Sequence, residues 1–202
     1  MKNHIPPYDT LFYTPAPELA PALLGMTIIV NSCAGRIVET EAYTGPPEDL
    51  ASHAHTRKNS AARIMQTAGR VYIYSIHGGV ATNITCGNQA PGAVLIRAIE
   101  PLRGITTMIE RRSRKPTKIS QTWNPNNHYS LRTMTNGPSK LTQALGIQKS
   151  WNDSLVGEKI QLAVGNPPDT IRRSTRIGIS KARDLRWRYC DAESDFLSRP
   201  VK

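Results

Sequence analysis

Long apolar runs are absent from the sequence. No window approaches the roughly 18 uncharged apolar residues that a membrane-spanning helix requires. The first ten residues, MKNHIPPYDT, also lack the apolar segment of a secretory signal. These absences predict an intracellular protein that does not enter the membrane. The compartment would be the cytoplasm for a bacterial source and the nucleus for a eukaryotic one.

Cysteine is scarce, with three residues at Cys33, Cys86 and Cys190. The number is odd and no two lie close in sequence, which argues against a disulfide framework and against a zinc ribbon. We interpret them as free thiols in a reducing compartment. The sequence also lacks a Walker loop, a G-x-G-x-x-G fingerprint and a G-x-S-x-G elbow, so nucleotide-hydrolase, dinucleotide and esterase functions lose their usual support.

Acidic residues are few, 15 against 26 lysines and arginines, which gives a net charge of +11. Half of the basic residues fall in two segments, 103–118 and 172–188. A surplus of this size in a short chain favours a polyanionic partner, and nucleic acid before acidic lipid, because no amphipathic basic helix is evident. A basic surface that only keeps the protein in solution is the alternative.

Proline and glycine are frequent, with 15 and 14 residues in 202, which predicts short elements and excludes a coiled coil. No internal repeat is visible, so we expect one compact domain over residues 10–202, preceded by a loose arm at residues 1–9. Helices are few and do not alternate regularly with strands. The sequence therefore predicts an α+β fold with a curved, largely antiparallel β-sheet, flanking short helices and a protruding β-hairpin.

Local patterns predict the individual elements. Strands are expected at 26–30, 36–43, 70–76, 80–84 and 93–101, where Pro101 ends the strand, and in the segments QLAV, RIGIS and LRWRYC. Helices are expected from Pro15 to the stop at Gly25 and at 61–68, 105–112 and 138–145. Residues 45–59 and 113–137 are expected to be polar loops. The connection His77-Gly78-Gly79 predicts a tight hairpin turn with a histidine at its tip.

The strand at 36–43 carries two glutamates. Alternation along a strand places Glu39, Glu41 and Tyr43 on one face. Glu41, and Arg97 within the apolar run AVLIRAIEP, need partners or solvent because an unpaired buried charge is costly. They suit either a structural ion pair or a carboxylate that activates water beside an orienting guanidinium.

Three tyrosines recur at strand spacing, Tyr43 near Glu41 and Tyr72 with Tyr74 on the hairpin. Aromatic residues in this pattern commonly belong to a hydrophobic core. In a basic protein they are also the side chains that stack on unpaired bases. Both interpretations stay open on the sequence.

His53 and His55 form an H-x-H pattern with Glu48 and Asp49 nearby. On a strand, this spacing would put two imidazoles on one side as metal ligands. Histidines in a polar loop are the alternative. Two histidines are a weak metal signal, so the sequence predicts no metal site.

Five motifs together resemble the alkyladenine (3-methyladenine, methylpurine) DNA glycosylase family. They are R-I-V-E-T-E-A-Y (36–43), Y-I-Y-S-I-H-G-G-V-A-T-N-I (72–84), L-I-R-A-I-E-P (95–101), N-G-P-S-K-L (136–141) and R-I-G-I (176–179). The motifs occur in the family's order and at compatible spacing, from about residue 10 to residue 190.

The resemblance implies a monofunctional enzyme of base excision repair, without lyase activity. Such an enzyme flips a damaged purine out of duplex DNA and hydrolyses its N-glycosidic bond as a monomer, with no metal or cofactor. The implied substrates are 3-methyladenine, 7-methylguanine, hypoxanthine and ethenoadenine. By the same resemblance Glu41 is the general base, Arg97 holds the attacking water and the carboxylate, and Tyr43 and Tyr74 enclose the flipped base.

The remaining implied roles concern recognition. His53, after one inserted residue in its loop, matches a pocket histidine whose main-chain N–H donates to the base. Asn83 matches an asparagine that sterically excludes the exocyclic amine of guanine. His77 stands where family members insert a tyrosine into the minor groove, and the resemblance implies that it intercalates in place of that tyrosine. Lys140 and Arg176 are expected to contact the DNA backbone.

Two other functions compete with this one. A non-catalytic DNA lesion-binding protein would use the same basic and aromatic residues, although a carboxylate such as Glu41 repels phosphate and suits binding alone poorly. A metal-dependent hydrolase using His53 and His55 would lose activity with a chelator, whereas a glycosylase of the family type would not.

Overall fold

The computed structural model describes residues 8–57, 61–87, 90–113 and 126–201. The described strands form one eight-stranded sheet in which every pairing is antiparallel, with short helices around it, and this confirms the predicted α+β class. The helices are α1 (Tyr8–Leu11), α2 (Ala16–Ala22), α3 (His53–Thr56), α4 (Ala61–Met65), α5 (Ile105–Ser113), α6 (His128–Thr135) and α7 (Pro138–Leu145). The strands are β1 (Thr27–Val30), β2 (Cys33–Thr44), β3 (Val71–Ile76), β4 (Gly79–Cys86), β5 (Gly92–Arg103), β6 (Gln161–Ala163), β7 (Ile171–Ser174) and β8 (Arg188–Asp191).

Strand β2 organises the sheet. It pairs with β5 along most of its length, and its other edge pairs first with β1 and then with β8 at residues 39–41. The pairing register with β5 shifts on both sides of Glu39, which is the mark of a β-bulge. Bulges re-aim side chains beside functional sites. Here the bulge lies next to the two glutamates of β2.

The main hydrophobic core lies between the sheet and helices α2, α5 and α7. Leu19 of α2, Ile37 of β2, Met108 of α5 and Leu141 of α7 are all fully buried in this cluster. The thiols of the three cysteines are buried and free, as the sequence indicated. Among the described residues, no helix is long and apolar enough to cross a bilayer.

Two strand predictions were wrong in part, and a third was wrong entirely. Strand β5 continues through Pro101 to Arg103, and Pro101 pairs with Gly35 beside a register shift, where proline is tolerated because the ladder is already interrupted. The RIGIS segment, 176–180, is not a strand, because its backbone pairs with no strand and the N–H of Ile177 donates to the side chain of Glu41. In LRWRYC only the residues from Arg188 onward are in β8.

Both predicted loops contain a helix. In 45–59, α3 begins after Ser52, whose hydroxyl accepts a hydrogen bond of 3.2 Å from the main-chain N–H of Ala54 and caps the helix. In 113–137, α6 occupies His128–Thr135, while residues 114–125 lie outside the described residues. The arm predicted for 1–9 also lies outside them, except that residues 8 and 9 begin α1.

Candidate active site

A cavity of about 820 Å³ opens on the face of the sheet opposite α2. Its floor includes three cross-strand neighbours, Leu95 of β5, Asn83 of β4 and Tyr72 of β3. Glu41 of β2 lies opposite Leu95 in the same row and is fully buried. Such cross-strand neighbours lie about 5 Å apart. The walls come from α3, the hairpin β3–β4 and segment 177–181.

The carboxylate of Glu41 is fully buried and held by three donors. Its Oε1 accepts 2.7 Å from the main-chain N–H of Ile177, and its Oε2 accepts 2.9 Å from the Tyr43 hydroxyl and 3.3 Å from Nη1 of Arg97. The structure thus brings together Glu41, Arg97 and Tyr43, three residues that the sequence analysis had singled out.

Burial raises the pKa of Glu41 above its ordinary value, although Arg97 and the donors from Ile177 and Tyr43 act in the opposite direction. Removing a carboxylate from water disfavours its charged form more than these contacts recover. Glu41 is therefore a stronger base than an exposed glutamate. This is the property that general-base chemistry near neutral pH requires.

Glu39 is a second fully buried carboxylate behind Glu41. Its Oε1 accepts from Nε of Arg97 at 3.0 Å, from Nε of Arg188 at 2.7 Å and from the Ser198 hydroxyl at 2.7 Å, and its Oε2 accepts 2.6 Å from the Ser198 main-chain N–H. Burial raises its pKa, but the two guanidiniums outweigh burial and the pKa lies below the ordinary value. Glu39 is thus a fixed anion that shares Arg97 with Glu41.

His53 packs against two tyrosines in the cavity wall. Its Nδ1 lies 2.9 Å from the Tyr72 hydroxyl, and its ring meets the ring of Tyr74 edge-on at 4.3 Å. Burial, with the nearby positive charge of Arg57, lowers the pKa of His53 to about 4. The imidazole is therefore neutral at physiological pH. Burial also raises the pKa of Tyr74 to about 12, so the phenol is protonated.

Arg176 is buried, and this corrects the predicted contact between Arg176 and the DNA backbone. Its guanidinium binds Asp49 through two hydrogen bonds of 2.6 and 2.8 Å and covers the ring of Tyr43 at 4.5 Å. The side chains of Arg176 and Asp49 have no exposed surface. A phosphate needs an accessible cation, and this guanidinium is committed to an internal carboxylate.

The other predicted recognition residues lie around the cavity or near it. Asn83 is buried in its floor, and its Nδ2 donates 3.0 Å to the carbonyl of Tyr72. His77 is exposed in the turn of the hairpin β3–β4 and lines the mouth. Lys140 is half-buried on α7, where its Nζ donates 2.7 Å to Asn136, and burial together with Arg112 lowers its pKa.

The H-x-H pattern does not form a pair of ligands. His53 and His55 lie two residues apart in helix α3, where positions i and i+2 point to different sides, and not on a strand as the metal hypothesis required. Asp49 is paired with Arg176. Within the described ranges, no group of three or more histidine, cysteine, aspartate or glutamate residues is placed to hold a metal ion.

Sequence reasoning missed several partners of the central carboxylates. The N–H of Ile177 belongs to the R-I-G-I motif, but a backbone donor leaves no signal in residue type. Asp49 was considered only as a metal ligand. Ser198 and Arg188 contact Glu39 from the far end of the chain, and nothing in their local sequence marks them.

Comparison with known proteins identifies the family. Residues 10–195 match the family model of methylpurine-DNA glycosylase. The chain is 36% identical to a protein of Bacillus subtilis (strain 168) named "Putative 3-methyladenine DNA glycosylase", over 98% of both sequences. Proteins with the same name from Granulibacter bethesdensis and Rhizobium johnstonii are 37% and 38% identical, over 94% and 89% of this chain and 86% and 83% of their own lengths. The chain therefore belongs to the methylpurine-DNA glycosylase family, a family of DNA repair enzymes.

Proposed function

We propose that this DNA glycosylase removes alkylated and deaminated purines from double-stranded DNA. It flips the damaged nucleotide into the cavity and hydrolyses the N-glycosidic bond with a water activated by Glu41. The substrates are 3-methyladenine, 7-methylguanine, hypoxanthine and ethenoadenine, and the product is an abasic site. The observation that carries the proposal is the buried carboxylate of Glu41, held by Arg97 and Ile177 beside a cavity walled with tyrosines.

The hydrogen bonds of Glu41 leave an acceptor position on Oε1 for one water. Each carboxylate oxygen accepts about two hydrogen bonds. Oε2 already accepts from Tyr43 and Arg97, whereas Oε1 accepts from Ile177 alone among the described donors. A water placed at the second acceptor position of Oε1 gives its proton to Glu41 as its oxygen bonds to C1′ of the deoxyribose.

The glycosidic bond breaks as the water attacks, and its electron pair leaves with the purine. The sugar gains oxocarbenium character, which the carboxylate of Glu41 stabilises electrostatically. A cationic base such as 7-methylguanine departs neutral and needs no proton. A neutral base such as hypoxanthine needs a proton or a hydrogen bond as it leaves.

The cavity walls suit a flat purine. Tyr43 and Tyr74 line the cavity and are the proposed stacking partners, and stacking of a cationic base on a tyrosine ring is worth about 1 to 2 kcal/mol. The main-chain N–H of His53 is the proposed donor to the base. Asn83, held by its bond to Tyr72, crowds the position of the exocyclic amine of guanine and leaves that amine unpaired, which disfavours the normal base.

His77 is the proposed wedge that fills the gap left by the flipped nucleotide. Flipping costs a few kcal/mol of lost stacking and pairing, least at a damaged or mismatched base. An exposed imidazole at the tip of a hairpin can enter the base stack. Its ring is smaller than that of tyrosine and offers less area for stacking.

Exposed cations at the mouth of the cavity are the proposed phosphate contacts in place of Arg176. Arg57, Lys181 and Arg199 are exposed and line the cavity. Lys140 keeps its proposed role beside the hairpin. Each phosphate contact releases a counterion, so affinity for DNA should fall steeply as salt rises.

The test is alkali-revealed strand cleavage of a duplex that contains one ethenoadenine, 7-methylguanine or hypoxanthine, with EDTA present. The proteins compared are the wild type, Glu41→Gln and Glu158→Gln. Glu158 is exposed and gives a matched control for the same substitution. We expect abasic product from the wild type and Glu158→Gln, and a loss of several orders of magnitude in Glu41→Gln with lesion binding retained.

Each other outcome has a defined meaning. Comparable excision by Glu41→Gln would overturn the role of Glu41. Binding of lesion DNA with no abasic product from the wild type would favour the non-catalytic lesion-binding protein. Strand cleavage without alkali would show lyase activity and contradict a monofunctional enzyme.

A further inference from the structure

The segment Phe196–Arg199, close to the C-terminus, lies against the back of the candidate active site. It follows residue 195, the last one matched by the family model. Phe196 is buried against Val38 and Ala98 and anchors the segment on the sheet. Beyond it, the side chain of Arg199 lines the cavity.

Ser198 contacts both charged groups that stand behind Glu41. Its main-chain N–H donates 2.6 Å to Oε2 of Glu39, and its hydroxyl donates 2.7 Å to Oε1 of the same carboxylate. The hydroxyl also accepts 3.3 Å from Nη2 of Arg97. The Ser198 hydroxyl thus donates to the buried carboxylate of Glu39 and accepts from the buried guanidinium of Arg97.

These contacts fix the orientation of the Arg97 guanidinium. A guanidinium is planar and rigid, so fixing its nitrogen atoms fixes the whole group. Nε is bound to Glu39 at 3.0 Å, Nη1 to Glu41 at 3.3 Å and Nη2 to Ser198 at 3.3 Å. Without the Ser198 hydroxyl, Nη2 loses this partner and Glu39 loses a donor, so the guanidinium is held by Glu39 and Glu41 alone and can shift relative to Glu41.

The same segment has anchors that do not involve the Ser198 hydroxyl. Phe196 keeps its apolar contacts, Nη2 of Arg188 donates 2.6 Å to the carbonyl of Arg199, and the Ser198 N–H keeps its bond to Glu39. Removal of the hydroxyl alone therefore leaves the segment in place. An effect on the reaction would come from the charged groups that the hydroxyl contacts.

We propose that Ser198 is a positioning residue of the active site. Its hydroxyl, together with Glu39, sets the guanidinium of Arg97 beside the carboxylate of Glu41. This inference rests on the proposed function. It adds the C-terminal segment 196–199 to the residues that prepare the general base.

The test compares Ser198→Ala, Ser198→Thr and Ser194→Ala in single-turnover excision of 7-methylguanine and in affinity for the lesion duplex. Ser194 is the matched control, because its hydroxyl accepts a 3.2 Å bond from Phe196 N–H in the same segment. We expect Ser198→Ala to slow excision about 10- to 100-fold, as small misplacements in active sites do, with affinity within about twofold. Ser198→Thr, which keeps a hydroxyl, should recover most of the rate, and Ser194→Ala should match the wild type.

A second measurement does not depend on activity. The exchange rate of the Arg97 Nε–H proton with solvent, followed by NMR, should rise in Ser198→Ala and stay unchanged in Ser198→Thr and Ser194→Ala. Wild-type rate and wild-type exchange in Ser198→Ala would overturn the proposal, as would equal losses in Ser198→Ala and Ser194→Ala. Failure of the proposed function would appear differently, as no excision by any variant, and the exchange comparison would then decide the placement of Arg97 by itself.

Discussion

The Tyr43 hydroxyl donates a 2.9 Å hydrogen bond to Oε2 of Glu41, the oxygen that also accepts from Arg97. Tyr43 therefore has two parts in the site. Its ring lines the cavity, and its hydroxyl stabilises the charged form of the proposed base. The guanidinium of Arg176 lies over the same ring, 4.5 Å from the ring centroid, and this contact fixes the orientation of the ring.

The pH dependence of excision should report the raised pKa of Glu41. The carboxylate acts as a base only when ionised, so the excision rate should rise with pH through its pKa and then reach a plateau. This rising part of the pH–rate profile is its acid limb. Because burial raises that pKa above the ordinary value of a glutamate, the acid limb should lie at higher pH than for an exposed glutamate. Single-turnover excision of 7-methylguanine measures this limb without the need to protonate the leaving base. A rate that rises as pH falls would contradict Glu41 as the base.

Tyr43→Phe should shift that limb. The substitution keeps the ring and removes a donor to the carboxylate, so the pKa of Glu41 should rise further and the acid limb should move to higher pH. Affinity for the lesion duplex should stay close to the wild-type value because the stacking surface remains. Tyr13→Phe, at an exposed tyrosine, is the control. An unchanged limb in Tyr43→Phe would show that the hydroxyl does not tune the base.

His53 should stay neutral throughout the physiological range. Its pKa of about 4, against 6.5 for the free side chain, predicts an unchanged imidazole NMR signal from pH 8 down to about pH 5. The unfolded chain takes up this proton as pH falls from 6.5 towards 4, so this residue should lower the free energy of unfolding across that window. Denaturant unfolding at pH 7 and pH 5 should show a smaller pH effect in His53→Asn. An equal pH effect in both proteins would contradict the lowered pKa.

His77→Ala should impair excision from duplex DNA and leave excision from single-stranded DNA intact. A lost wedge removes stacking that offsets the few kcal/mol cost of flipping, so a loss of about tenfold or more is expected. His77→Tyr, with a larger ring, should retain or exceed wild-type activity. His55→Ala is the matched control, since that histidine lies on α3 and does not line the cavity. Equal losses on the two substrates would rule out a wedge.

Arg176→Met should destabilise the protein rather than change its electrostatic contact with DNA. The substitution leaves Asp49 buried without its partner, which costs about 3 to 5 kcal/mol in comparable cases. Arg176→Met with Asp49→Asn should recover part of that loss in urea unfolding. The salt dependence of DNA binding should stay as in the wild type, whereas Lys181→Met should reduce its slope by about one. A reduced slope in Arg176→Met would restore the phosphate role that its burial contradicts.

Prediction from sequence worked best where a residue's role depends on its near neighbours. Alternation placed Glu39, Glu41 and Tyr43 on one side of β2, and Glu41 and Tyr43 are hydrogen-bonded. The glycines after His77 predicted the hairpin turn between β3 and β4. It failed at Pro101, because a register shift with β2 lets the strand continue where local preference ends it.

The charged residues of this protein separate what the sequence determines from what the tertiary structure determines. The sequence by itself determined that the chain is strongly basic, that it forms an α+β fold and that carboxylate, guanidinium and aromatic groups lie on its strands. Only the tertiary structure decided which charges meet: Arg176 binds Asp49 across 127 residues, and Ser198 binds Glu39 across 159. A charged residue in an apolar segment indicates that a partner is needed, because an unpaired buried charge is costly. Which residue becomes the partner depends on strand register and packing, and these depend on the whole chain.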